Sequence, residues 1–248
     1  MNLNELSLGV TPSSCLFVQL DFPVPFYITL RNAGDMGPSW VKPHSVRDQI
    51  LRCIGVPTER TLLLEQTHSQ LVAEAPDVYA DSQLHGDGIM SDGDWRPDGS
   101  SPWAAGVTVA DCMPIGVYEH SSGSWAVLHS GRQGTGILQT AVNAIRRHIG
   151  CRGNFSVTFG PCISAANYQV DYATAVDYAA RWGEKTLLKQ NDTMAVDLRA
   201  ANIALADTLG INNVTVYTDC TFNDPRLGSY RAEGKKHFRR MLALITRD

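Results

Sequence analysis

Residues 106–136, GVTVADCMPIGVYEHSSGSWAVLHSGRQGTG, constrain the fold more than any other stretch. Val107 and Val109 open an apolar strand, Ala110-Asp111-Cys112 breaks it, and Pro114 restarts the chain in an extended conformation. Ile115 to Tyr118 and Trp125 to Leu128 are apolar runs on either side of His120-Ser121-Ser122-Gly123, so the spacing predicts a β-hairpin. Antiparallel pairing places the residue before the first strand near the residue after the second. Cys112 and His129 hold those positions, so a thiol and an imidazole seventeen residues apart are brought together. Gly131-Arg132-Gln133-Gly134-Thr135-Gly136 then leads into a helix. In it Ile137, Leu138, Ala141, Val142 and Ile145 share a face, and Gly150 ends it.

Strands are expected at 15–20 and 26–30 around a proline-bracketed turn, followed by a loop over 31–39. A helix over 45–54 stops at Gly55. Residues 61–65 read as a buried strand leading into Gln66-Thr67-His68. Residues 71–74 are extended, 77–86 a polar loop, 87–90 a short strand and 91–102 an exposed loop. Further on come a strand at 155–159 and a helix over 172–182 with Ala173, Val176 and Ala180 on one side. Asp197 caps a helix burying Leu198, Ala201, Leu205 and Leu209. A strand at 214–217, an extended Ser229-Tyr230-Arg231 and a strand or helix end at 241–245 complete the chain. This mixture predicts an α+β or mixed α/β sandwich rather than a doubly wound fold.

A length of 248 residues allows one large domain or two small ones. The net charge is −4, and the basic residues cluster only at Lys235, Lys236, Arg239 and Arg240, which argues against nucleic acid as the main partner. No apolar run approaches a membrane span, and MNLNELSLGV lacks the blocks of a signal peptide. The six cysteines form no CxxC pair, so the expectation is reduced thiols in a cytoplasmic protein.

Catalytic zinc typically takes three ligands from His, Cys and carboxylates and keeps a fourth position open. Cys112, His129 and His68, which follows a strand directly, could supply them. Cys112 and His129 equally suit a nucleophile and its base, and the same residue types occur as a small buried thiol and hydrogen-bonded core imidazoles. The glycine-rich loop offers backbone N–H groups to an anion or serves as a plain strand-to-helix turn. It is not a Walker loop, because no Lys follows the glycines. Arg132 and Arg231 are candidate anion partners. Asp111 could orient a ligand, act as a base, or cap the corner turn.

Five short motifs in order resemble the bacterial laccase-domain family, also called polyphenol-oxidase-like and, more recently, purine nucleoside phosphorylases. They are Gln66-Thr67-His68, Ala110-Asp111-Cys112-Met113-Pro114, and His129-Ser130-Gly131-Arg132-Gln133-Gly134. Gly160-Pro161-Cys162-Ile163 with Tyr168-Gln169-Val170, and Ser229-Tyr230-Arg231, complete the set. The resemblance covers about residues 25 to 246 and implies one domain over 1–248. It implies a four-layer α/β/β/α sandwich related to the catalytic domain of cytotoxic necrotizing factor toxins. It also implies a zinc ion held by His68, Cys112 and His129 in a surface pocket.

The implied activity is zinc-dependent phosphorolysis of adenosine or inosine, with adenosine deamination as a further reaction. Purine nucleoside and phosphate would be the small-molecule substrates, handled by Asp111, Arg132, Gln133, Tyr230 and Arg231 in a monomer or homodimer with no membrane partner. The sequence departs from the family at two places. Arg132-Gln133 replaces the usual Trp-Arg, and His44-Ser45 stands where Asn-Arg is expected. Side chains alternate in an extended segment, so Arg132 would face away from a pocket that Gln133 faces, which predicts weakened phosphate use. A Cys112–His129 hydrolase or deamidase and a non-catalytic zinc-binding protein are the alternatives. A copper oxidase is disfavoured, because nothing identifies the further ligands a laccase needs.

Overall fold

The computed structural model describes residues 1, 3, 15–38, 44–81, 83–99, 101–190 and 192–247. Two β-sheets stack on each other. The five-stranded sheet contains β1 (Phe17–Leu20), β2 (Phe26–Thr29), β3 (Thr61–Leu62), β6 (Trp103–Val109) and β14 (Met241–Arg247), in the order β1-β2-β14-β6-β3. The six-stranded sheet contains β4 (Val72–Glu74), β5 (Gly88–Ser91), β7 (Met113–Glu119), β8 (Trp125–Ser130), β9 (Phe155–Phe159) and β13 (Asn213–Val216). Its order is β13-β9-β7-β8-β5-β4. A small sheet of β10 (Gln169–Val170), β11 (Leu187–Gln190) and β12 (Thr193–Val196) lies apart from these two.

Side-chain alternation sorts the layers. Met241, Ala243 and Ile245 of β14 join Phe26, Ile28, Val107, Trp125 and Val127 in the core between the large sheets. Leu242 and Leu244 point the other way, onto Ile50 and Leu51 of α1 (Ser45–Ile54). On the outer face of the six-stranded sheet, Ile115, Val117, Ala126 and Leu128 pack against α3 (Ile137–Ile149) and α5 (Leu198–Thr208). The result is the expected α/β/β/α layering. Removing this much apolar surface from water, at roughly 25 cal/mol per Å², is the main drive for the stack.

The hairpin forms as expected: β7 and β8 are antiparallel, with Pro114 opposite His129. Residues 110–112 carry the chain from one large sheet to the other, since β6 and β7 belong to different sheets. Asp111 turns that corner at φ 86°, a left-handed conformation that Asp tolerates better than most residues.

Several local expectations differ from what is found. Residues 75–80 form α2 (Ala75–Ala80), which runs into the expected 77–86 polar loop, because Pro76 suits a helix start and Ala75 and Val78 are buried. The ladder of β3 ends at Leu62, although Leu63 and Leu64 are also buried. In α4 (Tyr172–Trp182), the face with Ala173, Val176 and Ala180 is exposed, and the helix packs through Ala175, Tyr178 and Ala179. Tyr230 and Arg231 are helical, not extended: Ser229 accepts the Ala232 N–H and caps α6 (Tyr230–Glu233). Ser39, in the expected 31–39 loop, lies outside the described residues.

Candidate functional site

His129 is an odd-numbered residue of β8, like Trp125 and Val127, so it shares their face between the large sheets, at the end of the hairpin. Asp87 precedes β5 with the parity of Ile89 and lies on the same face, fully buried. The two meet: His129 Nδ1 is 2.8 Å from Asp87 Oδ1. That contact leaves Nε2 of His129 free to face Cys112, as in histidines oriented for a metal by a carboxylate.

Asp87 also builds the neighbouring turn. Its carboxylate accepts backbone N–H groups from Thr67 (3.3 Å), His68 (3.0 Å) and Ser69 (2.6 Å), and the hydroxyls of Thr67 and Ser69. Three successive amides wrap one carboxylate, which is why His68 adopts φ 59°. Gln66 fastens the same segment to β6, exchanging bonds of 2.9 and 2.7 Å with the backbone of Thr108. The exposed His68 ring thereby stands edge-on to His129, with ring centroids 4.9 Å apart.

The side chains of His68, Cys112 and His129 converge, with ligand atoms all within 4.8 Å of one another, the one such group among the described residues. A Cβ added to Gly131 would lie 2.7 Å from Cys112 Sγ, so the glycine keeps room at the thiol. Burial opposes a Cys112 thiolate, but His129 and then His68 outweigh it and draw the thiol down to about 6. Burial likewise opposes charge on His129, while Cys112 and Asp87 hold its pKa well above the usual histidine range. The same ion pair drives both shifts. Burial also works against the Asp87 carboxylate, yet His129 and Ser69 bring it down to about 2. Two imidazoles and a thiol, held this close, could serve as three protein ligands to a metal ion.

A cavity of about 570 Å³ opens over the three residues. Asp111, Arg132, Gln133, Tyr230 and Arg231, expected at the site, line it, together with Gln66, Tyr168, Phe238 and Arg240. Asp111 is tied up: its carboxylate accepts from Thr221 (2.6 Å), Ser229 (2.7 Å) and the Arg231 N–H (2.7 Å). Three hydrogen bonds on one carboxylate make it a brace between the corner and the start of α6 rather than an open base. The brace sets Arg231, whose guanidinium reaches the Gln169 carbonyl at 3.1 Å and lies 5.4 Å from the Tyr168 ring centroid. Burial together with the negative Cys112 pushes the Tyr168 phenol up to about 12, against the pull of Arg132 and Arg231.

The glycine-rich loop is a run of turns, not an extended segment. Thr135 closes it by donating to the Gly131 carbonyl at 2.9 Å, and Gln70 donates to the Thr135 carbonyl at 2.6 Å. Strand alternation therefore does not apply, and Arg132 and Gln133 both line the cavity. His44 caps α1 by accepting the Arg47 N–H, while the buried Arg47 guanidinium donates to the carbonyls of Met36 and Pro38. A guanidinium thus sits two residues beyond the missing Asn-Arg, spent on the segment whose Pro38 lines the cavity.

Asp87, Tyr168, Phe238 and Arg240 were not picked out as site residues by sequence reasoning. For Asp87 the signal was present: a carboxylate two residues before Ile89, on the face of an apolar strand that turns inward. Tyr168 belonged to a motif without an assigned role. Arg240 was counted with a surface cluster; it pairs with Asp35 at 3.3 Å and packs 4.4 Å from the Phe238 ring centroid.

Residues 40–248 match the sequence pattern of the family described as multi-copper polyphenol oxidoreductase laccase. A protein of Corynebacterium glutamicum named purine nucleoside phosphorylase is 28% identical over 207 residues, 82% of each chain. One of the same name from Campylobacter jejuni is 31% identical over 182 residues, 71% of this chain and 73% of that one. Among solved structures, a Neisseria meningitidis protein superposes with a TM-score of 0.77 at 24% identity, covering 94% of this chain and 99% of that one. The hypothetical protein YfiH of Bacillus licheniformis gives 0.78 at 20% identity, covering 95% and 98%. At these identities the two structures speak for the fold alone.

Proposed function

This chain belongs to the multi-copper polyphenol oxidoreductase laccase family, and from that membership and its cavity we propose that it is a zinc-dependent purine nucleoside phosphorylase. The observation that carries the reading is the joining, in one cavity, of a His68–Cys112–His129 ligand set with the guanidiniums of Arg132 and Arg231. The names of the relatives from C. glutamicum and C. jejuni point the same way. Oxidation by several coppers fits less well, since the described residues hold one group of three ligating side chains, and a laccase needs more.

When bound, zinc supplies a Lewis-acidic charge at its open position. Arg132 and Arg231 hold phosphate, because planar guanidinium forks match phosphate oxygens. Tyr230 and Phe238, edge-to-face at 5.0 Å, offer an aromatic wall for the purine. Gln133 adds a neutral amide. Phosphate held there displaces the base from the ribose anomeric carbon, giving free purine and ribose 1-phosphate. Because Arg132 faces the cavity, it takes the place of the family's arginine one position later. Arg132→Gln should therefore raise the KM for phosphate by roughly tenfold or more at constant zinc content. Improved phosphate use in Arg132→Trp with Gln133→Arg would instead make position 133 the natural anion site.

A second reading is favoured by one feature, the chain of contacts from Asp87 through His129 to a thiol drawn down to about 6. In protein without metal this is the layout of a cysteine nucleophile with its base and orienting carboxylate. Turnover of an amide or ester substrate that rises on chelation, and falls on adding zinc, would select that reading.

A further inference from the structure

We propose that Cys162 and Cys220 are a peroxide-oxidisable thiol pair, a modification site next to the corner that carries Cys112. It stands apart from the phosphorylase reading and needs neither substrate nor metal.

β9 and β13 run parallel and end with Phe159 opposite Val216. Their pairing resumes once beyond those ends, as a single parallel bridge that sets Cys162 opposite Cys220. The Thr221 N–H donates to the Cys162 carbonyl there at 3.2 Å. Residues paired across a bridge present their side chains to the same face, and neighbouring strands lie about 4.7–4.9 Å apart. That spacing falls inside the range of about 4.4–6.8 Å between the Cα atoms of a disulfide. Both thiols are free in this structure.

The two sulfurs differ in what surrounds them. Cys162 is fully buried and Cys220 half-buried. Two N–H donors aim at the Cys220 Sγ, the Ser164 backbone at 3.2 Å and the Asn167 amide at 3.4 Å. Such donors favour the thiolate, which is the form that peroxide oxidises. Burial opposes a Cys220 thiolate, but the bonds from Ser164 outweigh it and set this thiol below its ordinary value, whereas burial pushes Cys162 up to about 12. Cys220 therefore meets the oxidant first. Its sulfur attacks one oxygen of hydrogen peroxide, the O–O bond breaks, hydroxide leaves, and Cys220 becomes a sulfenic acid. The Cys162 sulfur then attacks that sulfur, the S–O bond breaks, and the hydroxyl departs as water with the Cys162 proton. In sum, two thiols and one hydrogen peroxide give one disulfide and two waters, the sulfurs being oxidised and the peroxide oxygens reduced.

The pair is tied to the site by the residue that follows each cysteine. Ile163 donates its N–H to the Asp111 carbonyl at 3.0 Å, and Thr221 donates its hydroxyl to the Asp111 carboxylate at 2.6 Å. The Arg199 guanidinium spans the same place, 3.7 Å from Cys162 Sγ and 3.4 Å from the carbonyl of Asp219, which precedes Cys220. A disulfide would thus join the two arms that grip the residue before Cys112.

The test treats the full-length wild-type protein with a molar excess of hydrogen peroxide, blocks the remaining thiols with N-ethylmaleimide and digests with trypsin without reduction. Cys162 and Cys220 fall in separate tryptic peptides, 153–181 and 200–226, and neither peptide holds another cysteine. Mass spectrometry should find the two joined, lighter by two hydrogens than their sum, absent before oxidation and lost on adding dithiothreitol. Cys162→Ser should leave Cys220 as a sulfenic acid that dimedone traps, and Cys220→Ala should leave Cys162 unoxidised at the same dose. Both peptides blocked by N-ethylmaleimide at a dose that oxidises the exposed Cys53 and Cys151 would overturn the proposal. A cross-link from either cysteine to Cys112, or a Cys220 sulfenic acid that persists in wild type without a cross-link, would overturn it as well. The wild-type digest decides even where a variant fails to fold.

Discussion

At the scale of single residues, Asp87 does the most with the fewest atoms. One buried carboxylate aligns the His129 ring and folds the turn that presents His68. Asp87→Asn keeps the size but offers one acceptor oxygen in place of two, so the turn amides and the ring compete for it. Zinc affinity, read by competition with a chromogenic chelator, should fall roughly 10- to 100-fold, as for other partners of metal-bound histidines. Unchanged affinity would mean that the ligands are held by packing alone. Cys112 yields a second prediction. In zinc-free protein the alkylation of this half-buried thiol by iodoacetamide, followed on its own peptide because Cys53 and Cys151 are exposed, should rise with pH through about 6 and be suppressed by zinc. A midpoint near that of an ordinary thiol would show that no thiolate–imidazolium pair exists. Cys112→Ala should lose zinc while unfolding cooperatively, because the hydrophobic cores lie elsewhere.

At the scale of elements, the β7–β8 hairpin carries the site, and its far end has a carboxylate of its own. Glu119 accepts from Ser121, Ser122 and the Asn154 N–H at 2.8 to 3.1 Å. Burial works against this carboxylate, but these donors bring it down to about 2. Its folded-state pKa is depressed, so its stabilisation is present above the ordinary value of 4.5 and is lost as pH falls toward 2. Glu119→Gln should cost on the order of 1–3 kcal/mol at pH 7 and little at pH 2, measured by urea unfolding. An equal loss at both pH values would assign the effect to packing instead. The hairpin itself was legible in the sequence, because a turn tetrapeptide between two apolar runs leaves few other ways to fold. The helical start at Ser229 was not, because Ser-Tyr-Arg carries no periodicity, and Asp111, far away in sequence, helps to fix it. The exposed side of α4 misled for a related reason: small apolar residues occupy both faces, and tertiary packing chose the one with Tyr178.

At the scale of the whole molecule, the sandwich puts its chemistry where the two sheets exchange the chain. β6 ends in one sheet, β7 begins in the other, and the corner between them supplies Asp111 and Cys112. His129 comes from the next strand, and His68 from the turn after β3. The triad was readable because each member follows or ends an apolar strand. The inward path of Arg132 was not, since it depends on Thr135, Gln70 and Tyr178 closing the loop into turns. No described helix is long and apolar enough to cross a membrane. The central claim is that a metal centre and an anion site act together on a purine nucleoside. Its most direct test is metal analysis of the purified protein combined with chromatography of adenosine and inosine incubated with and without phosphate. The account predicts about one zinc per chain and phosphate-dependent release of adenine or hypoxanthine that disappears with Cys112→Ala. Fully zinc-loaded protein that releases no base at any phosphate concentration would contradict it.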